Sequence, residues 1–317
     1  MLHLSPSSLT TLKAKKLFHD SMVDMVFKRI DNIRTPLGAN KIKSLQGMDC
    51  KKNNFRFDFF INNLIDDILV GDPVKLVEVN AKINPIINAV PEFGNAVKYV
   101  FNYNWFCDEK QTKYWAYDLA ASLEVDTCVY CNRNYTSTVI KHDGKKVTRP
   151  QFDHFFDKAK NPLLAISFYN LIPSCSICNS SIKGATTMDL STHLHPYIDD
   201  GLPDITFSYE YSPTSRSGLK VKVKTPSPSR AKNTVELFAV EEIYNAHISE
   251  LQDLLRTKSY FSDRYLDILS ASLLEGVKVS RPDLYRLAFG TEYASSNFIR
   301  RPFSKFKSDI LKELGVI

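Results

Sequence analysis

Two Cys-x-x-Cys knuckles, Cys128-Val129-Tyr130-Cys131 and Cys175-Ser176-Ile177-Cys178, stand far apart in this chain. Four thiolates complete the tetrahedral shell of a structural zinc, so the pattern predicts one bound Zn²⁺. Between the knuckles lie Asp153-His154 and Asn170-Leu171; Asn179 follows the last cysteine directly, and Lys183-Gly184 comes shortly after. An imidazole titrates near neutrality and can take a proton from water, which makes His154 a candidate general base. Asp153 is a hard oxygen ligand for a catalytic Mg²⁺ or Mn²⁺, and Asn179 can offer an amide oxygen to the same ion. Asn170 can fix the imidazole through a side-chain or a backbone contact. Hydrolysis of a phosphodiester needs such a base for water and a cation for the developing charge.

The elements that must hold these residues read as short. Residues 136–140 and 146–152 have the composition of strands, with Asp143-Gly144 as the hairpin turn, which puts Asp153-His154 at a strand end. Residues 155–167 read as a loop containing Asn161-Pro162, followed by a short strand around 168–172. Pro173-Ser174 then leads into a helix carrying Cys178, Asn179 and Lys183, ended by Gly184.

Helical regions flank this centre. Ser7-Ser8 is placed to cap a helix whose apolar positions include Leu12, Leu17, Met22, Met25, Val26 and Ile30. Asn53-Asn54 precedes an apolar run to Leu69, Pro73 suits the first turn of a further helix, and 109–123 reads as another. Trp105, Tyr114, Trp115 and Tyr117 read as core rather than as a platform for bases. Past the centre, Phe207, Tyr209 and Tyr211 alternate with polar residues, as do Leu219, Val221 and Val223, which marks a second hairpin. The polar stretch 225–229 reads as a linker, and from Asn233 the chain is helical again, with a last helix near 304–314. The expected organisation is therefore α+β: a helical region 1–124, a core 125–200, a hairpin and linker 201–229 and a helical region 230–317.

Composition is that of an ordinary globular chain, 44% hydrophobic and 24% charged. A formal charge of +6 permits a nucleic-acid partner without demanding one. Lys141, Lys145, Lys146 and Arg149 on the first hairpin, together with Lys183 and His195, are the expected nucleic-acid contacts; a solvated strand face explains the hairpin cations equally well. His193 and His195 either touch substrate or are loop histidines. Lys220, Lys222 and Lys224 share one strand face as a basic stripe. Cys50 and Cys107 belong to no motif and read as small buried hydrophobes. No window approaches a membrane span and the first residues lack the apolar run of a signal peptide, which points to a reducing cytoplasm.

The order strand with Asp-His, loop, strand with Asn-Leu, helix with Cys-x-x-Cys-Asn-x-x-x-Lys resembles the HNH endonucleases, the ββα-metal family, in its zinc-stapled branch. The resemblance covers about residues 126–200. It implies a metal-dependent DNA endonuclease in which Asp153 and Asn179 bind the catalytic ion, His154 is general base and Asn170 orients it. Asn179 stands where many members have histidine. His195-Pro196-Tyr197 and Arg301-Pro302-Phe303-Ser304-Lys305 look like HNH proteins of Septu and retron-associated anti-phage systems, where the nuclease works beside an ABC-type ATPase. Two other readings stand beside this one: a zinc-held module that binds nucleic acid or a protein partner without cutting, and a nuclease acting on RNA.

Overall fold

Ser8 accepts the backbone N–H of Thr11 at 3.1 Å and so begins α1 (Leu9–Asn32), the longest helix among the described residues. The computed structural model describes residues 1–108, 114–260 and 280–316; part of the helix expected over 109–123 and part of the C-terminal helical region lie outside them. The buried stripe of α1 is Ala14, Phe18, Met22, Val26 and Ile30, a strict four-residue step, while Leu12 and Leu17 are 43% and 49% exposed. The expected face is thus corrected: Phe18, larger than its neighbour Leu17, sets the phase by meeting Phe106, Tyr114 and Phe168 edge to face.

After the short α2 (Pro36–Asn40), Asp49 accepts Lys52 N–H and starts α3 (Cys50–Phe60), so Asn53 and Asn54 lie inside this helix rather than before it. After α4 (Ile65–Val70), Asp72 caps α5 (Pro73–Ala89), with Pro73 in its first turn as expected. Next come α6 (Pro91–Val100) and the single turn α7 (Tyr103–Phe106). The buried Arg29 joins these to α1. Its Nε donates to Tyr99 O and Val100 O, and its guanidinium lies 4.0 Å and 4.2 Å from the Tyr99 and Trp105 ring centres. Tyr103 lies between these partners in the chain. Helix α8 (Ala116–Leu123) packs on α1 and delivers the chain to the first knuckle. Of the four aromatics expected in the core, Tyr114 is buried and Trp105, Trp115 and Tyr117 are half-buried.

Among the described residues, three two-stranded antiparallel sheets follow: β1 (Val139–Ile140) with β2 (Lys146–Thr148), β3 (Gln151–His154) with β4 (Leu171–Ser174), and β5 (Thr206–Tyr211) with β6 (Leu219–Lys224). The strand expected over 146–152 is broken at Arg149-Pro150. Proline offers no N–H to a ladder, so the pairing with β1 stops, and the chain resumes as β3 against a different partner. Asp153 then faces Ile172 and His154 faces Leu171 across the β3–β4 pair. Asn170 closes a 3₁₀ turn just before β4 rather than lying on a strand, and Pro173-Ser174 end β4. Ile177–Lys183 is wound as a π-helix, with Gly184 N–H reaching Asn179 O at 3.1 Å, and Gly184 leaves it at φ +50°.

The β5–β6 hairpin forms as expected and rests on the C-terminal helix Ser304–Glu313, where Phe207 N–H donates to Asp309 and Ser208 to Glu313. Its lysines are largely neutralised, Lys222 by Glu241 at 2.8 Å and Lys224 by Glu313 at 3.9 Å, so the basic stripe shrinks to Lys220. The polar stretch 225–229 ends in Ser229, which caps α9 (Arg230–Leu237); α10 (Val240–Asn245) and α11 (Ile248–Tyr260) follow, the first break being Ala239 at φ +46°. Among the described residues no helix is long and apolar enough to cross a membrane.

Candidate active site and zinc centre

The thiols of Cys128, Cys131, Cys175 and Cys178 are buried, with all four sulfur atoms within 4.8 Å of one another. A tetrahedral zinc with Zn–S bonds near 2.3 Å sets its sulfurs about 3.8 Å apart, so this cluster can hold a zinc ion with little adjustment. Burial pushes the Cys128 thiol up, and thiolates crowded into so dry a space need a dication beside them. Each knuckle is shaped by its own backbone: Asn132 N–H returns to Cys128 O at 2.8 Å, and Asn179 N–H to Cys175 O at 3.0 Å.

Asn132 does more than close that turn. It sits at φ +48°, a region asparagine tolerates better than most residues. Its amide nitrogen reaches Thr127 Oγ1, Phe298 O and Arg301 O, and its Oδ1 accepts Lys305 N–H. Tyr244 Oη adds a hydrogen bond to Cys131 O at 2.7 Å. The C-terminal region is thereby clamped to the first knuckle, and the Arg301–Lys305 motif works as part of that clamp. Sequence reasoning passed over Asn132, although an asparagine directly after a knuckle is a signal for positive φ. Asn132→Ala is expected to cost about 3 kcal/mol, because it strands buried carbonyls and forces alanine into the left-handed region. Urea unfolding of the full chain reads this directly. Wild-type stability in the variant would show that the clamp contributes little.

Beside the cysteine cluster a cavity of about 540 Å³ opens between the β3 end and the π-helix, with Tyr103 and Asn104 of α7 also in its lining. His154 lies in its lining, 7% exposed. Its Nε2 is 2.9 Å from Ala165 O; a carbonyl only accepts, so Nε2 carries the hydrogen and Nδ1 keeps the lone pair. The edge-to-face contact with the Tyr103 ring, 4.5 Å between centres, holds the imidazole plane. Burial brings the His154 pKa down to about 4, with the Ala165 hydrogen bond opposing in part, so the ring is neutral at physiological pH.

Asp153 is 2% exposed and held at both oxygens: Lys183 Nζ donates to Oδ1 at 2.9 Å and Tyr130 Oη to Oδ2 at 2.7 Å. Lys183 also donates to His154 O at 2.9 Å. This corrects one expectation, since Lys183 is 4% exposed and turned inward, bracing the Asp153-His154 dipeptide instead of meeting a nucleic acid. Asn170 acts through the loop, its side-chain hydrogen bonds going to backbone there and not to the imidazole. Its Nδ2 donates to Phe156 O and Leu164 O while Oδ1 accepts Phe156 N–H, which fixes the segment presenting Ala165 O. Helix α5 holds the same loop from outside through Asn80 to Asn161 and Asn84 to Lys160 O. Asn179 lines the cavity with its Nδ2 donating to Gln151 Oε1 at 2.9 Å.

His195 is also placed differently from expectation. It is fully buried among Phe155, Phe156 and Tyr197, with Nδ1 accepting Tyr197 N–H, so it is a core histidine and not a substrate contact. Lys146 sits 5.9 Å from the Trp115 ring centre, away from the cleft lining, whereas Arg149 lines the cleft. Tyr103, Tyr130 and Lys158 are site residues that no motif marked. No family model, curated protein or solved structure matches this chain. What the site does is therefore argued from its own residues.

Removing Lys183 tests the brace. Lys183→Ala leaves Asp153 buried without its cation, and breaking such a pair costs about 3–5 kcal/mol. A melting experiment on the purified variant should show that loss; an unchanged transition would mean that Asp153 finds compensation elsewhere.

Proposed function

We propose that this protein is a metal-dependent endonuclease of the HNH type that hydrolyses DNA phosphodiester bonds, with the ββα unit formed by β3, β4 and the π-helix. One observation carries the reading: a buried, neutral imidazole whose Nε2 is tied to a backbone carbonyl, leaving Nδ1 as the basic atom, next to a carboxylate in one cleft. His154 takes the proton of the attacking water at Nδ1. The water oxygen bonds to phosphorus as the P–O3′ bond breaks, and the departing 3′ oxygen takes a proton from solvent, leaving 5′-phosphate and 3′-hydroxyl ends. Asn170 and Tyr103 keep the imidazole in place, one through the loop backbone and the other through its ring.

Asp153 and Asn179 are the residues that would hold a Mg²⁺ or Mn²⁺ ion. A carboxylate has about four acceptor positions, of which Lys183 and Tyr130 take two, and the Asn179 amide oxygen is turned to no described partner. Hard oxygen donors few in number suit an ion that keeps most of its water. Such an ion supplies, when bound, stabilisation of the charge that grows on the phosphate oxygens.

The anti-phage setting and the ATPase partner rest on motifs whose residues this chain uses for internal packing, His195 in the core and Arg301–Lys305 in the clamp on Asn132. The test of the activity is conversion of supercoiled plasmid by the full chain with and without Mg²⁺ or Mn²⁺, His154→Ala alongside. Cleavage that needs the ion and His154 supports the reading. Cleavage indifferent to both, or none under any condition, overturns it.

A further inference from the structure

The cleft carries cations that the proposed hydrolysis does not use. Arg149 enters from the Pro150 break. Its guanidinium donates to Pro150 O at 2.7 Å and to Cys107 Sγ at 3.5 Å, and lies 5.6 Å and 5.7 Å from the Tyr117 and Phe152 ring centres. A guanidinium has five N–H donors in a fixed fork, so donors remain for a ligand after these contacts. Lys158 comes from the loop after β3, exposed, with Nζ 4.6 Å from the Tyr103 ring centre. Both line the cavity that holds His154. A second cavity of about 170 Å³ shares Tyr103, Asn104 and Lys158 with the first and adds the exposed Lys98.

Elsewhere on the surface several lysines are neutralised, as Lys222 is by Glu241. Among the described residues none of Arg149, Lys158 and Lys98 has such an ion-pair partner. The remaining carboxylate of the cleft, Asp157, turns back to its own loop, where Oδ1 accepts Ala159 N–H at 2.8 Å. A guanidinium fork held by a carbonyl and aromatic rings, with lysines on the far side of the base, suits successive phosphates of one strand. We propose that Arg149 and Lys158 clamp backbone phosphates on either side of His154, and that the strand leaves the cleft across Tyr103 toward Lys98. The inference rests on the nuclease reading and deepens it, because it makes α6, α7 and the loop after β3 part of the substrate track. Cutting and holding are then separate properties of the same cleft.

The test is equilibrium binding of a fluorescently labelled DNA duplex to the full chain, without added divalent cation, across a salt series. Each phosphate contact contributes about 0.9 to the slope of log affinity against log salt. Lys158→Gln and Lys98→Gln, both at exposed side chains, are each expected to lower the slope by about that amount and to weaken binding several-fold, as is Arg149→Gln. Lys16→Gln, on the exposed face of α1, serves as the control and should keep the wild-type slope. If wild type binds and cuts while all three cleft variants keep its slope, the clamp is wrong and the nuclease reading stands. If wild type neither binds DNA nor cuts it, the nuclease reading falls and the clamp with it.

Discussion

His154→Ala is expected to cut plasmid DNA about 100-fold to 10,000-fold more slowly than wild type, the range a positioned general base contributes. The reason lies in how completely this side chain is committed. Its Nε2 is tied to Ala165 O and its ring is packed edge-on against Tyr103, so no neighbour can rotate in to replace it. Asp157 has an oxygen engaged within its own loop, and Asp153 is held by Lys183 and Tyr130. The substitution leaves the thiol cluster intact, so zinc content and DNA affinity should stay near wild type. Those readouts separate loss of the base from loss of the fold. A variant that cuts as fast as wild type, prepared free of contaminating nuclease, would end the assignment of His154. A zinc-held module that binds without cutting would then account better for the cleft.

How much of this was legible beforehand differs from residue to residue, and the difference is physical. The thiol cluster was readable because Cys-x-x-Cys spacing already contains most of the local geometry of a knuckle. Asp153-His154 at a strand end was readable from the Asp143-Gly144 turn, which marks a hairpin whose second strand runs up to that pair. The strand before it is shorter than its composition suggests, because Pro150 offers no N–H to the ladder. Leu12 and Leu17 were misjudged because two apolar rows fit one helix and only tertiary packing chooses between them. Tyr103 and Tyr130 could not be placed from local pattern, since each acts on a partner in another element. Lys183 was seen but turned the wrong way. A lysine late in a helix reads as solvated, and only its distance to Asp153 shows it as a buried counter-ion.

Zinc removal is the second change expected to have a large effect. Purified protein should contain about one zinc per chain, and Cys175→Ser should lose it. Structural zinc contributes about 10–16 kcal/mol of apparent binding free energy in small domains, more than the whole stability of many of them. Here the loss should be regional, because α1 and α3 to α6 bring many buried apolar residues to the continuous core, Met22, Phe57, Leu76 and Phe93 among them. What depends on the metal is the segment joined through it. Cys175 directly follows β4, the partner of the strand bearing His154, and the other knuckle is held by the C-terminal region through Asn132 and Tyr244. In hydrogen exchange, protection should collapse over 126–184 and 298–305 while the buried positions of α1 remain protected. Cutting should vanish with it, since β4, which holds the His154 strand in register, is anchored directly beside Cys175. Affinity for zinc should also weaken as pH falls, because protons compete for the thiolates. A well-folded, zinc-free sample with four free thiols and wild-type exchange would refute the metal assignment. It would also leave the dense packing of four buried sulfurs to be explained by apolar contact alone.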